Sequence, residues 1–242
     1  MSVRTRPGTQ VVAGPAARLR LRASRALYSC VRLLVRVILR ACNRMKVTSQ
    51  TTVPSAGPLV IVANHESVLD GFVLAAAFPK RRLTFLSASY LFDKPFTGAF
   101  LRAMGALPVK TQGRNFGSLR QAIAVLRRGG TVAVFPEGGI LGSEILGGAV
   151  YLALKADAPI LPVYLKGTKE VLPPGRRIPF PSAIEAVLGS PFHVARSTEG
   201  PKCSRREVSE GRQLLERMLD RVRPTEMREE ETLLNWMPGV IR

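Results

Sequence analysis

From residue 50 onward, short uninterrupted apolar runs alternate with longer segments in which apolar residues recur every three or four positions. The runs are PLVIVA (58–63), LTFLSA (83–88), TVAVF (131–135), PILPVYL (159–165) and IEAVL (184–188). Runs of this length, apolar at consecutive positions, suit strands covered on both faces. Between them, 67–78, 116–128 and 144–156 have the length and spacing of helices. A further helix over 205–223 carries Leu214, Leu215, Met218 and Leu219 among charges and stops at Pro224. Such alternation predicts an α/β domain over 50–224 with a mixed, largely parallel sheet flanked by helices.

The chain before residue 50 has a different texture. Residues 1–15, with Pro7, Gly8, Gly14 and Pro15, read as a flexible lead-in. Residues 16–48 lack proline and glycine and mix leucine, valine and isoleucine with arginine. Arg25, Arg32, Arg36 and Arg40 recur at intervals of seven, four and four, which keeps them on one helical face. This predicts a basic amphipathic helix before the domain. Three readings of it stand: a helix lying in the headgroup region of an anionic bilayer, a solvated helix packed on the domain, or a nucleic-acid arm. Its acid-free, arginine-rich composition also fits an organelle transit peptide. Residues 225–242 are expected to form a C-terminal tail.

Charge sharpens this division. The 242 residues hold 36 Lys+Arg against 17 Asp+Glu, a net charge of +19 that points to an anionic surface or substrate. Eleven of those basic residues and no acid fall in the first fifty positions. Cys30, Cys42 and Cys203 are odd in number and scattered, which supports neither a disulfide framework nor a zinc site. No uncharged apolar run reaches the length of a membrane-spanning helix.

Candidate chemistry gathers at two strand ends. The first is Asn64-His65, followed by Asp70 five residues beyond the histidine. On one continuous helix two such residues point about 140° apart, but across a strand-to-helix turn they can meet. With Ser67 as the helix N-cap, Asp70 falls in the first turn, able to hold an imidazole tautomer and leave the other nitrogen free for a proton. The same letters also fit a capping box in which Asp70 only completes the helix start. The second strand end is Phe135-Pro136-Glu137-Gly138-Gly139, where proline ends a strand and paired glycines admit a ligand close to the backbone.

Taken together, NHESVLD and FPEGG resemble the NH-x4-D and FPEG motifs of the lysophospholipid acyltransferase family, which includes the 1-acyl-sn-glycerol-3-phosphate O-acyltransferases. Their order and spacing also fit. LFDKPFTGAFLRAMGALPVK between them and PILPVYLKG after them look like that family's second and fourth blocks, so the resemblance spans roughly residues 50–170.

The resemblance implies transfer of a fatty acyl group from acyl-CoA or acyl-carrier protein to a hydroxyl of a lysophospholipid-like acceptor in phospholipid biosynthesis. His65 would be the general base and Asp70 its orienting partner. Asn64, Phe135, Pro136, Glu137 and Gly138 would belong to the substrate site. Neither metal nor prosthetic group is called for, because a thioester already carries a good leaving group and removal of the hydroxyl proton is the main task. The expected setting is a peripheral or monotopic position on the cytoplasmic face of an anionic membrane.

Two departures concern the acceptor. Many members continue Thr-Arg-Ser after FPEG where this chain has Gly139-Ile140-Leu141, and the second block commonly ends in arginine where this chain has Val109-Lys110-Thr111. Lys110 or Arg114 are candidates to replace those phosphate-gripping guanidiniums. A non-phosphate lipid alcohol is the alternative acceptor. A nucleic-acid-binding protein would explain the charge but neither motif, and Tyr28 is the only aromatic residue before position 50, so no nucleic acid is expected as a partner. A serine hydrolase would need a G-x-S-x-G elbow, which the chain lacks.

Overall fold

Leu59 to Ala63 is buried at every position, and the rest of the sheet is arranged around this strand. The computed structural model describes residues 15–110, 116–135, 142–173, 175–176, 178–196 and 203–224. In chain order the elements are α1 (Pro15–Asn43), β1 (Lys46–Ser49), β2 (Leu59–Ala63), α2 (Asp70–Ala77), β3 (Leu83–Ala88), α3 (Tyr90–Asp93) and α4 (Pro95–Met104). They continue with β4 (Leu107–Val109), α5 (Phe116–Arg127), β5 (Thr131–Val134), α6 (Gly142–Ala156), β6 (Ile160–Lys166), α7 (Thr168–Val171), β7 (Glu185–Leu188) and α8 (Arg205–Val222).

The seven strands lie in the order β1-β7-β6-β2-β5-β3-β4. Every neighbouring pair is parallel except β6 with β7, so the sheet is mixed and largely parallel, as the alternation predicts. The carboxyl ends of β2, β3, β4, β5 and β6 therefore share one edge, where open α/β sheets present ligands.

Strand parity divides the core. Leu59, Ile61 and Ala63 join Leu83, Ala133, Leu161, Val163 and residues of α2 on one face; Val60, Val62, Val132 and Val134 join α5, α6 and α8 on the other. Both faces of the central strands are dry, which explains why those strands read as continuous apolar runs.

Two strands, β1 and β4, and three helices, α3, α4 and the four-residue α7, were not expected. Strand β1, KVTS, is exposed at all four positions and polar at three of them, an edge pairing only with β7. Strand β4 has three residues with Pro108 at its centre, permitted because β4 is the opposite edge. Helices α3 and α4 fill 90–104, and α4 ends on Gly105, whose φ of 77° favours glycine. Helix α1 stops at Asn43, Arg44 turns left-handed, and β1 starts at Lys46, so the expected boundary at 48 falls inside a strand of the sheet.

One face of α1 is pinned to the domain. Ser24 donates to the Ala103 carbonyl at 2.7 Å, Tyr28 accepts the Leu83 N–H at 3.0 Å, and Asn43 donates to the Phe180 and Ser182 carbonyls. The guanidiniums of Arg32 and Arg82 lie 5.7 and 5.2 Å from the centroid of the buried Tyr28 ring, and burial raises its phenol above the ordinary value despite those cations. The opposite face is open: Leu27, Leu33, Leu34, Val37 and Ile38 are exposed, Leu33 and Leu34 to 64% and 61%. At 100° per residue, Arg22, Arg25, Arg36 and Arg40 fall in a separate arc of about 60° along one margin of that apolar face.

Candidate active site

His65 and Asp70 meet. Residues 67–70 form a turn in which the Asp70 N–H donates to the Ser67 carbonyl at 3.1 Å, and the helix begins at Asp70 itself. This brings Asp70 Oδ2 to 2.8 Å from His65 Nδ1. The same oxygen accepts the Glu66 N–H at 2.7 Å and the Ser67 N–H at 2.8 Å. A carboxylate so placed can only accept, so Nδ1 carries the proton it donates and Nε2 is left as the basic nitrogen. Asp70 is wholly buried, whereas the His65 side chain is 34% exposed. The anion is therefore hidden and the imidazole presented.

The capping reading and the pairing reading turn out to share one atom. Acceptance of the Ser67 N–H is half of a capping box, yet the expected N-cap role of Ser67 is not what forms. Leu69 occupies that position without a side-chain bond, while Ser67 Oγ accepts the Leu69 N–H at 3.2 Å and donates to the Leu172 carbonyl at 2.8 Å. Gly167, with φ of 86°, makes the turn that returns Thr168–Val171 toward this loop; a Cβ there would strike the Ala183 carbonyl.

Asn64 is buried and spends both ends of its amide on β6: Oδ1 accepts the Leu165 N–H at 2.7 Å and Nδ2 donates to the Leu165 carbonyl at 2.9 Å. Its side chain ties the end of β2 to β6 and so fixes where His65 leaves the sheet. Phe135 leaves β5 on the same side, and its ring stacks on the imidazole with centroids 4.6 Å apart. Beyond it lies Phe85, centroid 6.1 Å away, a residue the sequence did not single out.

Lys110 follows β4, three strands from β2, or roughly 14 Å at about 4.8 Å per strand. It shares the edge but is not beside His65. Pro136, Glu137, Gly138 and Arg114 lie outside the described residues. His193 is exposed, in the segment that follows the isolated bridge between Ile160 and Phe192. Among the described residues no three His, Cys, Asp or Glu side chains cluster as a metal ion would require.

A half-exposed imidazole, backed by a buried carboxylate and set at the carboxyl edge of a parallel sheet, suits proton removal from a hydroxyl. The profile of the family described as Acyltransferase matches residues 44–166, just over half of the chain, from the residue after α1 to the last of β6. The chain belongs to the acyltransferase family. It is 24% identical over 171 residues to the 1-acyl-sn-glycerol-3-phosphate acyltransferase of Bacillus subtilis, covering 70% of this chain and 84% of that one. With the chloroplastic 1-acyl-sn-glycerol-3-phosphate acyltransferase LPAT1 of Arabidopsis thaliana it shares 29% over 148 residues, which is 58% of this chain and only 41% of that longer protein. The crystal structure of the 1-acyl-sn-glycerophosphate acyltransferase PlsC of Thermotoga maritima superposes with a TM-score of 0.62 at 22% identity, over 84% of this chain and 81% of that one, and so shares the fold. Family and relatives make this acyltransferase an O-acyltransferase.

Proposed function

We propose that this acyltransferase moves a fatty acyl group from an acyl thioester, acyl-CoA or acyl-carrier protein, to the free hydroxyl of a 1-acylglycerol-3-phosphate in phospholipid biosynthesis. The observation that carries the mechanism is the 2.8 Å contact between His65 Nδ1 and Asp70 Oδ2, with Asp70 buried and the ring half-exposed. His65 Nε2 takes the hydroxyl proton as the acceptor oxygen attacks the thioester carbonyl. The new C–O bond forms, the C–S bond breaks, and the imidazolium returns its proton to the departing thiolate. The buried carboxylate stabilises that imidazolium while it lasts, and no covalent enzyme intermediate is required. The acceptor is argued from the names of the relatives. Pro136, Glu137 and Gly138 are proposed to shape its site, with Lys110 and Arg114 offering positive charge from the β4 side.

The same reading seats the enzyme on an anionic membrane. The outward face of α1 is apolar, its margin is arginine, and α4, joined to α1 at Ser24 and Ala103, adds Phe96, 90% exposed, and Phe100. Among the described residues no helix is long and apolar enough to cross a membrane, so α1 is proposed to lie in the interface plane.

The test is acyl transfer from labelled acyl-CoA and acyl-carrier protein to a panel of lysophosphatidate, other lysophospholipids and lipid alcohols. Lysophosphatidate is expected to be the best acceptor, and His65→Ala to lower kcat by about 10²- to 10⁴-fold. Turnover by the variant equal to that of the parent would remove the base. Preference for an uncharged alcohol would reject the acceptor, in line with Gly139-Ile140-Leu141 standing where many relatives carry an arginine.

A further inference from the structure

Strand register builds a column of three rings beneath the proposed reaction site. Positions 61 and 63 of β2, 133 and 135 of the β5 segment and 83 and 85 of β3 all point to the same face, as the shared core cluster of Ile61, Ala63, Leu83 and Ala133, with Phe85 and Phe135 packed on it, demonstrates, and His65, two residues beyond Ala63, joins that face through its contact with Phe135. Phe85 pairs with Ala133, and Val62 with Val134. The alanine at 133 leaves room beside Phe85, so Phe135 rises diagonally over it and His65 rises diagonally over Phe135. The observed planes agree: Phe135 lies 8° from parallel with Phe85 and 22° from parallel with His65.

A single hydrogen bond does not fix an imidazole. The contact from Nδ1 to Asp70 sets the direction of one N–H vector but leaves the ring free to turn about that vector, carrying Nε2 through an arc. A flat apolar surface against one face of the ring removes that freedom. It also closes that face to water, leaving the ring edge with Nε2 open. Phe135 is such a surface, and Phe85 supports it from below.

We infer that Phe135 is a positioning residue: its ring, braced by Phe85, holds the plane of His65 so that Nε2 points at the acceptor hydroxyl. This rests on the reading of His65 as the base. It gives Phe135 a task exerted through His65, distinct from direct contact with the acceptor.

The chain contains two histidines, His65 and the exposed His193, which makes the stack visible by NMR of histidine-labelled enzyme in detergent micelles. The ring protons of His65 are expected upfield of those of His193, assigned through His193→Gln, because they sit over the Phe135 face. Phe135→Leu, which keeps apolar bulk and removes the ring, is expected to return them toward the His193 positions; unchanged shifts would overturn the stack. In turnover, Phe135→Leu is expected to lower kcat roughly 10- to 100-fold with the KM for acceptor nearly unchanged, while Phe135→Tyr retains most of the parent rate. A raised KM at parental kcat would overturn the inference in favour of direct acceptor contact. In a His65→Ala background, Phe135→Leu is expected to cost nothing further, and an additional loss would show a task independent of the base. Should His65→Ala retain full activity, the base reading and the catalytic weight of Phe135 fall together. The wild-type ring shifts, which need no variant at 135, report on the stack separately.

Discussion

Replacing Asp70 separates what its carboxylate does for folding from what it does for chemistry. One oxygen, Oδ2, accepts from His65 Nδ1, Glu66 N and Ser67 N at 2.7 to 2.8 Å, and the residue is wholly buried. Asp70→Ala leaves two backbone N–H groups without an acceptor. At about 1–3 kcal/mol for each orphaned group, the expected loss is roughly 2–6 kcal/mol. That is a large share of a stability of about 5–15 kcal/mol, and corresponds to a melting temperature roughly 5–20 °C lower.

Asp70→Asn is different. Its amide oxygen can occupy the Oδ2 position and keep all three donors, while its NH2 takes the place of Oδ1, which has no hydrogen-bond partner. Burial of that unpaired amide costs about 1–3 kcal/mol, so the asparagine variant is expected to melt between parent and alanine variant. The negative charge is gone in both. With nothing to stabilise the imidazolium formed when His65 takes the hydroxyl proton, kcat is expected to fall by about 10²- to 10⁴-fold in both. Thermal unfolding in detergent and acyl transfer from labelled thioester measure the two quantities on the same preparations. Asparagine turnover within about threefold of the parent would refute the need for a charged partner, and an alanine variant that melts with the parent would refute the hydrogen-bond accounting.

Other perturbations follow from the same geometry. Asn64→Leu leaves the Leu165 N–H and carbonyl unmatched inside the sheet; about 2–4 kcal/mol of stability is expected to go, read by denaturant unfolding, with the rate falling because His65 leaves β2 at that point. Arg81 is buried with no acid paired to it among the described residues, and donates to the Pro54, Ala56 and Gly57 carbonyls and to Thr131 Oγ1, its guanidinium held below the ordinary value by burial. Arg81→Leu is expected to destabilise by about 3 kcal/mol or more while the KM for acceptor stays at the parental value, and a shifted KM would contradict a purely structural role. Leu34→Glu with Val37→Glu places charge on the outward face of α1, where both side chains are exposed, so melting is expected to be unchanged and sedimentation with anionic vesicles lost. Retained sedimentation would reject the interfacial seat of α1. These substitutions serve better than deletion of the segment, because Tyr28, Leu39 and Asn43 on its other face are buried in the domain.

What the sequence disclosed, and what it hid, follows from how each signal is generated. Strands buried on both faces must be apolar at every position, so β2, β5 and β6 are visible as runs. The exposed, mostly polar strand β1 and the three-residue β4 gain their conformation from a single neighbour each, and leave no such trace. Helix α4 was hidden because two of its exposed positions, Phe96 and Phe100, are aromatic and one of its buried positions is Gly98, which blurs the usual apolar-in, polar-out contrast. At the site, local rules reached only as far as one turn: five-residue spacing across a strand-to-helix connection let His65 meet Asp70 but fitted a capping box equally well, and the second motif and the family resemblance were needed to favour the pair. The ring stacked on the imidazole comes from the end of β5 and the ring behind that one from β3, and which residues of those strands line up there depends on register, a property of the assembled sheet. Once strand order is known, position parity alone selects Phe135 and Phe85 for the face on which His65 emerges. The motif residues are thus legible as letters, but the constraint on the plane of the base exists only between strands that the letters do not show to be neighbours.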